Sequence, residues 1–180
     1  MNLVEPIRNK SDIEAMKEYL KAWNERNYML FLFGINTGLR ISDILNLRVK
    51  DVQGWHVTIK EKKTGKLKRF KMPPALKREI REYVKGKPLH HFIFQSRQGK
   101  NKPLDRRTVD WILKVAAYES GLDNIGTHSM RKTFGYHHYK KYKDVAILMV
   151  MFNHASPAIT LRYIGIQQDS QDRTMTNFGL

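Results

Sequence analysis

The stretch "FGINTGLRISDILNL", Phe33 to Leu47, places Arg40 just after a Thr37-Gly38 break. A helix that opens there leaves unpaired backbone N–H groups beside the arginine. The planar guanidinium offers paired donors that match two phosphate oxygens. Asp43 lies one helical turn further on and can hold that guanidinium, although alone the pair favours a plain helix-surface salt bridge. In "THSMRKTFG", His128 and Arg131 share a helix face. They add a second guanidinium and an imidazole that titrates near neutral pH. A solvated basic face containing Lys132 has the same pattern.

"MFNHASPAITLRYIG" carries His154 and Tyr163. On one straight helix these two would point to nearly opposite sides. The Ser156-Pro157 pair reads as N-cap and first residue of a new helix that can fold back. A tyrosine on such a short helix is a nucleophile candidate; alone, an aromatic packed on the core is the better reading. Tyr136, Tyr139 and Tyr142 form a packing stripe. Lys63 precedes a Thr64-Gly65 turn and could deliver a proton to a leaving oxygen. On charge alone Lys60, Lys62, Lys66 and Lys68 rival it.

Those residues need elements to carry them. Ser11-Asp12-Ile13-Glu14 predicts a capping box opening a helix to about Asn24. "YMLFLFGIN" predicts a buried helix and "RISDILNL" another. "WHVTIK" and "LKRFKM" predict a hairpin, "FIF" (Phe92 to Phe94) a third short strand, and Ala75 to Lys85 a helix. Further helices are predicted over Asp105 to Ser120, over "THSMRKTFGYHHYKKY", and over Asp144 to Phe152, the last apolar enough to be central. After Ile166 the chain is polar, an extended or exchangeable tail.

Composition narrows the partner. Lys plus Arg number 33 against 17 Asp plus Glu, a net charge of +16. A domain this basic meets a polyanion, with nucleic acid the first candidate. No cysteine is present, so disulfides and Cys-ligated zinc are excluded. No apolar run reaches membrane-spanning length and the N-terminus lacks a signal-peptide centre, so a cytoplasmic location is expected. His90-His91 and His137-His138 lack metal-site spacing, and there is no Gly-rich phosphate loop.

Taken in order, "TGLRISDIL", "KTG" in a hairpin, "HSMR" and "NHASPAITLRY" resemble the tyrosine recombinases, the phage-integrase family, from about Asp12 to Ile166. The resemblance implies an α+β, mostly helical catalytic domain with a small antiparallel sheet of about three strands. It implies Tyr163 as the nucleophile that forms a 3′-phosphotyrosine with DNA, and Arg40 and Arg131 as the phosphate clamp. It further implies Lys63 as general acid, His128 assisting proton transfer, and His154 bonding a non-bridging oxygen, with Asp43 in support. No metal, ATP or other cofactor is implied. Residues 1–180 are expected to be one catalytic domain (core about 12–166, tail 167–180) lacking the family's N-terminal DNA-binding domain. The expected partner is double-stranded DNA, bound by a tetramer that is a monomer without DNA, from a bacterial or phage-encoded source. The tail's Phe178 and Leu180 could plug into a neighbour. Asn153, where the family commonly has Gly, and Lys132, where His is common, depart from the pattern. Two alternatives stay open: a type IB topoisomerase-like relaxing activity and a silent DNA-binding accessory module.

Overall fold

The structure is a computed structural model, described here for residues 4–176 and 178–179. Helix α1 (Lys10–Trp23) starts one residue before Ser11. Its N-cap is Asn9, with no side-chain cap bond, so the expected Ser11 capping box does not form. Asn24 ends α1 and also caps α2 (Glu25–Thr37) by accepting the backbone N–H of Arg26. Met29 through Gly34 of α2 are all buried, making α2 the central helix, packed against α1 and against the later α4 (Pro74–Val84) and α6 (Thr127–Tyr142). A run apolar on every side is what a fully surrounded helix requires.

Gly38 stops α2 in the left-handed conformation, φ +61°, the usual glycine C-cap. Two residues later α3 (Ile41–Leu45) begins with Arg40 as its N-cap. A short 3-10 turn, Val49–Val52, leads to the hairpin β1 (His56–Lys60) and β2 (Leu67–Lys71). The strands pair antiparallel with Ile59 opposite Lys68. Alternation puts Val57 and Ile59 inward, while Trp55 stays outside the strand and half-exposed.

The expected third strand is absent. Phe92 makes an isolated bridge to Arg48, and Gln95 another to Pro103. Ile93 and Phe94 are buried, but the backbone around them bonds to irregular segments, Ile93 N–H to Leu47 O and Leu104 N–H to Phe94 O. The apolar run therefore marks core and not a ladder. The sheet has two strands.

Helix α5 (Arg106–Glu119) is capped by Asp105, and α6 follows it. Then α7 (Val145–Phe152) and α8 (Pro157–Tyr163) turn on each other at 81°. Ser156 caps α8 and Pro157 opens it, as the sequence predicts. Helix α7 is not central: only Leu148 and Phe152 are buried, and Val150 is 82% exposed. These two residues join Ile164 in a small second core, separate from the main one around α2. Gly135 lets α6 approach that second core, since a Cβ there would meet Ile164 Cγ2 at 2.6 Å. Of the tyrosine stripe, Tyr136 is buried but Tyr142 is exposed.

Residues 166–176 are helical too: α9 (Ile166–Thr176) replaces the expected extended tail. Asp169 accepts from Arg8 Nε at 2.7 Å, tying α9 to the N-terminal segment. Phe178 is exposed, and Leu180, the other half of the suggested plug, lies outside the described residues. No single helix among the described residues is long and apolar enough to cross a membrane.

Candidate active site

The candidate residues collect at the seam between the two cores. Arg131, on α6, is 3% exposed. Its Nη1 donates to the Gly38 carbonyl at 2.5 Å and its Nη2 to the Phe152 carbonyl at 3.0 Å. Its guanidinium lies 4.3 Å from the Phe152 ring centroid. A buried charge is tolerated only when satisfied in this way, and the bonds lock the fork in one orientation. The main core's helix break and the last turn of α7 are thus joined by one side chain.

Arg40 points into the same region, but Asp43 does not hold it. Arg40 Nη1 donates to Glu61 Oε1 at 3.0 Å. Asp43 instead accepts the backbone N–H of Lys62 through Oδ1 at 2.9 Å, while its Oδ2 is buried without a partner. The physical reason is local. Asp43 is itself buried in α3, facing the hairpin backbone. Asp43 braces the hairpin turn through Lys62 and does not hold Arg40.

Glu61 was not expected. The sequence held a signal for it: the inward alternation of Val57 and Ile59 continues to Glu61, which is 4% exposed. Its Oε2 accepts from Thr64 Oγ1 at 2.7 Å. Burial pulls its carboxyl upward, but Thr64, Arg40, Lys68 and Arg131 outweigh this and hold it below the usual carboxylate range. Lys68, inward on β2, donates to the Met151 carbonyl at 2.6 Å. Burial, with Arg131 and Arg40 nearby, pushes its ammonium down to about 8, against the attraction of Glu61 and Asp43.

Lys63 lies in the exposed turn, two residues beyond Glu61. Of the rival lysines, Lys66 reaches Asn153 Oδ1 at 3.2 Å. That contact links the hairpin to the α7–α8 connection. Asn153 sits at φ +56° just after α7, a left-handed position that asparagine tolerates better than most residues. The departure from Gly therefore keeps the backbone shape and adds a tether. Lys132, the second departure, donates to the Val4 carbonyl at 2.7 Å, and its Nζ lies 5.4 Å from the Tyr163 ring centroid.

The fold-back of α8 brings His154 and Tyr163 together, ring centroids 5.1 Å apart, with Phe152 packed against both. His154 Nδ1 lies 3.0 Å from Thr160 Oγ1, a partner found one turn before Tyr163. Burial pushes the Tyr163 phenol up, while the positive charges of Arg131 and Arg40 pull it back. Both histidines are held below their ordinary range, His154 by burial and then Arg131 and Arg40. For His128 the causes are desolvation, Arg106, Arg131, Lys132 and Arg40. Arg106, at the start of α5, lies 3.4 Å from His128 Nε2. Among the described residues no cluster of three His, Asp or Glu could hold a metal ion.

Arg131 thus links the break beside Arg40 to Phe152, whose ring packs on His154 and Tyr163, with His128 one turn before Arg131 on α6 and Lys63 in the exposed hairpin turn. Residues 9–169 match the phage integrase family. The chain belongs to that family. It is 47% identical over 99% of its length to the probable integrase/recombinase YoeC of Bacillus subtilis, and covers 99% of that protein. By contrast it spans about half the length of the curated XerA and XerC tyrosine recombinases it also matches. Among solved structures, a XerA recombinase superposes with TM-score 0.75 at 16% identity, over 99% of this chain and 67% of that one. The Tn1549 transposon integrase in complex with a circular intermediate DNA gives TM-score 0.73 at 17% identity, over 88% and 60%. The fold is that of a tyrosine recombinase catalytic domain, and as a family member the chain is a recombinase, an enzyme.

Proposed function

We propose that this chain cleaves and rejoins DNA at specific sites through Tyr163. Its Oη attacks the scissile phosphorus, the bond from phosphorus to the 5′-oxygen breaks, and Lys63 gives that oxygen its proton. The 3′-phosphotyrosine conserves the linkage, so another strand's 5′-hydroxyl can reverse the step without a nucleotide cofactor. Arg40 and Arg131 stabilise the charge that grows on the equatorial oxygens. His128, kept neutral by burial and then by its cationic neighbours, receives the phenol proton. His154 serves as a donor to a non-bridging oxygen, its ring oriented by the 3.0 Å contact between Nδ1 and Thr160 Oγ1.

The observation that carries this reading is the packing of Tyr163 against His154 beside Arg131, which itself grips the Gly38 carbonyl next to Arg40. That packing, with Arg131 tied to the break beside Arg40, supports the reading. The net charge of +16 supplies the electrostatic attraction to duplex DNA. Assembly into a tetramer on DNA from a free monomer completes the reading, with α9 as the segment available for exchange because it buries no residue.

The test is a nicked duplex pool with randomised core sequence, incubated with the protein and resolved under denaturing conditions. Wild type forms a protein–DNA adduct with some duplexes and Tyr163→Phe forms none. An adduct that survives in Tyr163→Phe rejects this nucleophile. Binding with no wild-type adduct on any duplex supports a silent accessory module instead.

A further inference from the structure

We propose that Glu61 is a positioning residue that couples Arg40 to the turn carrying Lys63, an inference that rests on the roles given to those two residues above. One carboxylate spans both parts: Oε1 takes the Arg40 Nη1 donor at 3.0 Å and Oε2 takes the Thr64 hydroxyl at 2.7 Å. The backbone of Glu61 closes the same turn from both sides. Its N–H donates to the Lys66 carbonyl at 2.9 Å, and its carbonyl accepts from Gly65 N–H at 2.8 Å. Lys63 is therefore held inside a loop whose base is Glu61.

A side chain only 5% exposed, with both oxygens engaged, has little freedom to rotate. Moving the turn requires moving the arginine, and the reverse. Arg40 presents five N–H donors, and only the Nη1 contact goes to Glu61 among its side-chain bonds, so others remain for a phosphate. Against burial, the Thr64 hydroxyl and Arg40, and then Lys68 and Arg131, keep the carboxylate ionised. The consequence is registration: the group that binds the scissile phosphate and the group that protonates the leaving oxygen hold a fixed spacing before DNA arrives, as catalytic preorganisation requires.

The experiment compares wild type, Glu61→Gln and Thr64→Val on duplexes selected for wild-type adduct formation. Each duplex is made twice, with oxygen or with sulfur at the 5′-bridging position. A thiolate leaves without needing a proton, so a defect acting through Lys63 shrinks on the sulfur substrate. Both variants are expected to be slower on oxygen by about 10- to 100-fold, the scale of lost supporting contacts. Thr64→Val recovers most of its loss on sulfur, and Glu61→Gln recovers part, because its Arg40 contact is weakened as well. Equal losses on both substrates overturn the coupling. Cleavage faster than wild type in Glu61→Gln also overturns it, since Glu61 would then be a competitor of the phosphate. A second arm needs no DNA: amide hydrogen exchange over residues 62–66 speeds up by about 10-fold or more in both variants while the melting temperature stays near wild type. Unchanged exchange there rejects the proposal even if no duplex is cleaved, whereas failure of wild type to form adduct rejects only the enzymatic reading.

Discussion

Arg131 donates to the carbonyl of Gly38 across 93 positions of sequence. The bond ties the helix that carries His128 to the break that delivers Arg40. Gly38 thus has two duties. It adopts φ +61°, and it leaves room for Phe134, whose Cδ1 would lie 2.4 Å from an added Cβ. Replacing Gly38 by Ala is expected to cost roughly 2–5 kcal/mol, from the left-handed conformation together with overpacking. Urea unfolding measures this. Adduct formation should fall further than stability predicts at temperatures where the variant is still folded, because both arginines shift. A variant as stable as wild type contradicts the packing described.

Arg106 sets a pH limit. It lies 3.4 Å from His128 Nε2 and, after burial, is the leading cause that disfavours the imidazolium, ahead of Arg131, Lys132 and Arg40. A neutral His128 is the form able to accept the Tyr163 proton, so cleavage should decline only as pH falls through a value below about 6.5, the ordinary histidine pKa. Arg106→Ala removes one cation, and the acid limb should move up in pH, with little change in rate at pH 8. The profile of adduct formation rate between pH 5 and 8 (about the range over which histidine titrates) checks this. An unmoved limb assigns the acid titration to another group.

Much of this site was legible from sequence because its signals are local. Breaks are written in Gly38 and in Ser156-Pro157, and both fall where the structure has them. The His154–Tyr163 meeting follows from the second break. What sequence could not settle was which acid meets which base. Asp43 sits at helix spacing from Arg40, but spacing ignores burial, and the hairpin placed Glu61 closer. The α7 error has a related cause. A run as apolar as Val145–Phe152 looks central, yet much of that surface is uncovered in the isolated chain. The Phe92–Phe94 run erred differently: burial without a partner strand gives no alternation to distinguish core loop from ladder.

The charge predicts a salt dependence. With a net charge of +16, DNA binding should weaken linearly in log–log form as salt rises. For a footprint of six to ten phosphates the loss is on the order of 10³–10⁵ between 50 and 200 mM. Fluorescence anisotropy with a labelled duplex at four salt concentrations measures the slope. A flat response contradicts an electrostatic interface.

Lys68 is expected to oppose stability at neutral pH. Its ordinary pKa of 10.5 falls to about 8 in the folded protein. The unfolded chain therefore binds the proton more tightly than the folded one between those two values, and stability from this group rises as pH increases across that window. Below about 8 both states are charged, and the folded state bears the full charging cost, about 3 kcal/mol. Lys68→Met has no such titration. It loses the bond to the Met151 carbonyl, a pH-independent change across this range, so the trend and not the offset is diagnostic. Denaturant unfolding of wild type and Lys68→Met at pH 7, 8.5 and 10 (points spanning the roughly two-unit shift) should show wild type gaining on the variant as pH rises. The variant's adduct formation should be weaker at about pH 7, where Lys68 carries its charge near Arg131 and Arg40, and the gap should narrow toward about pH 10 as wild-type Lys68 loses its proton. A stability difference independent of pH would mean that Lys68 is solvated like an ordinary surface lysine.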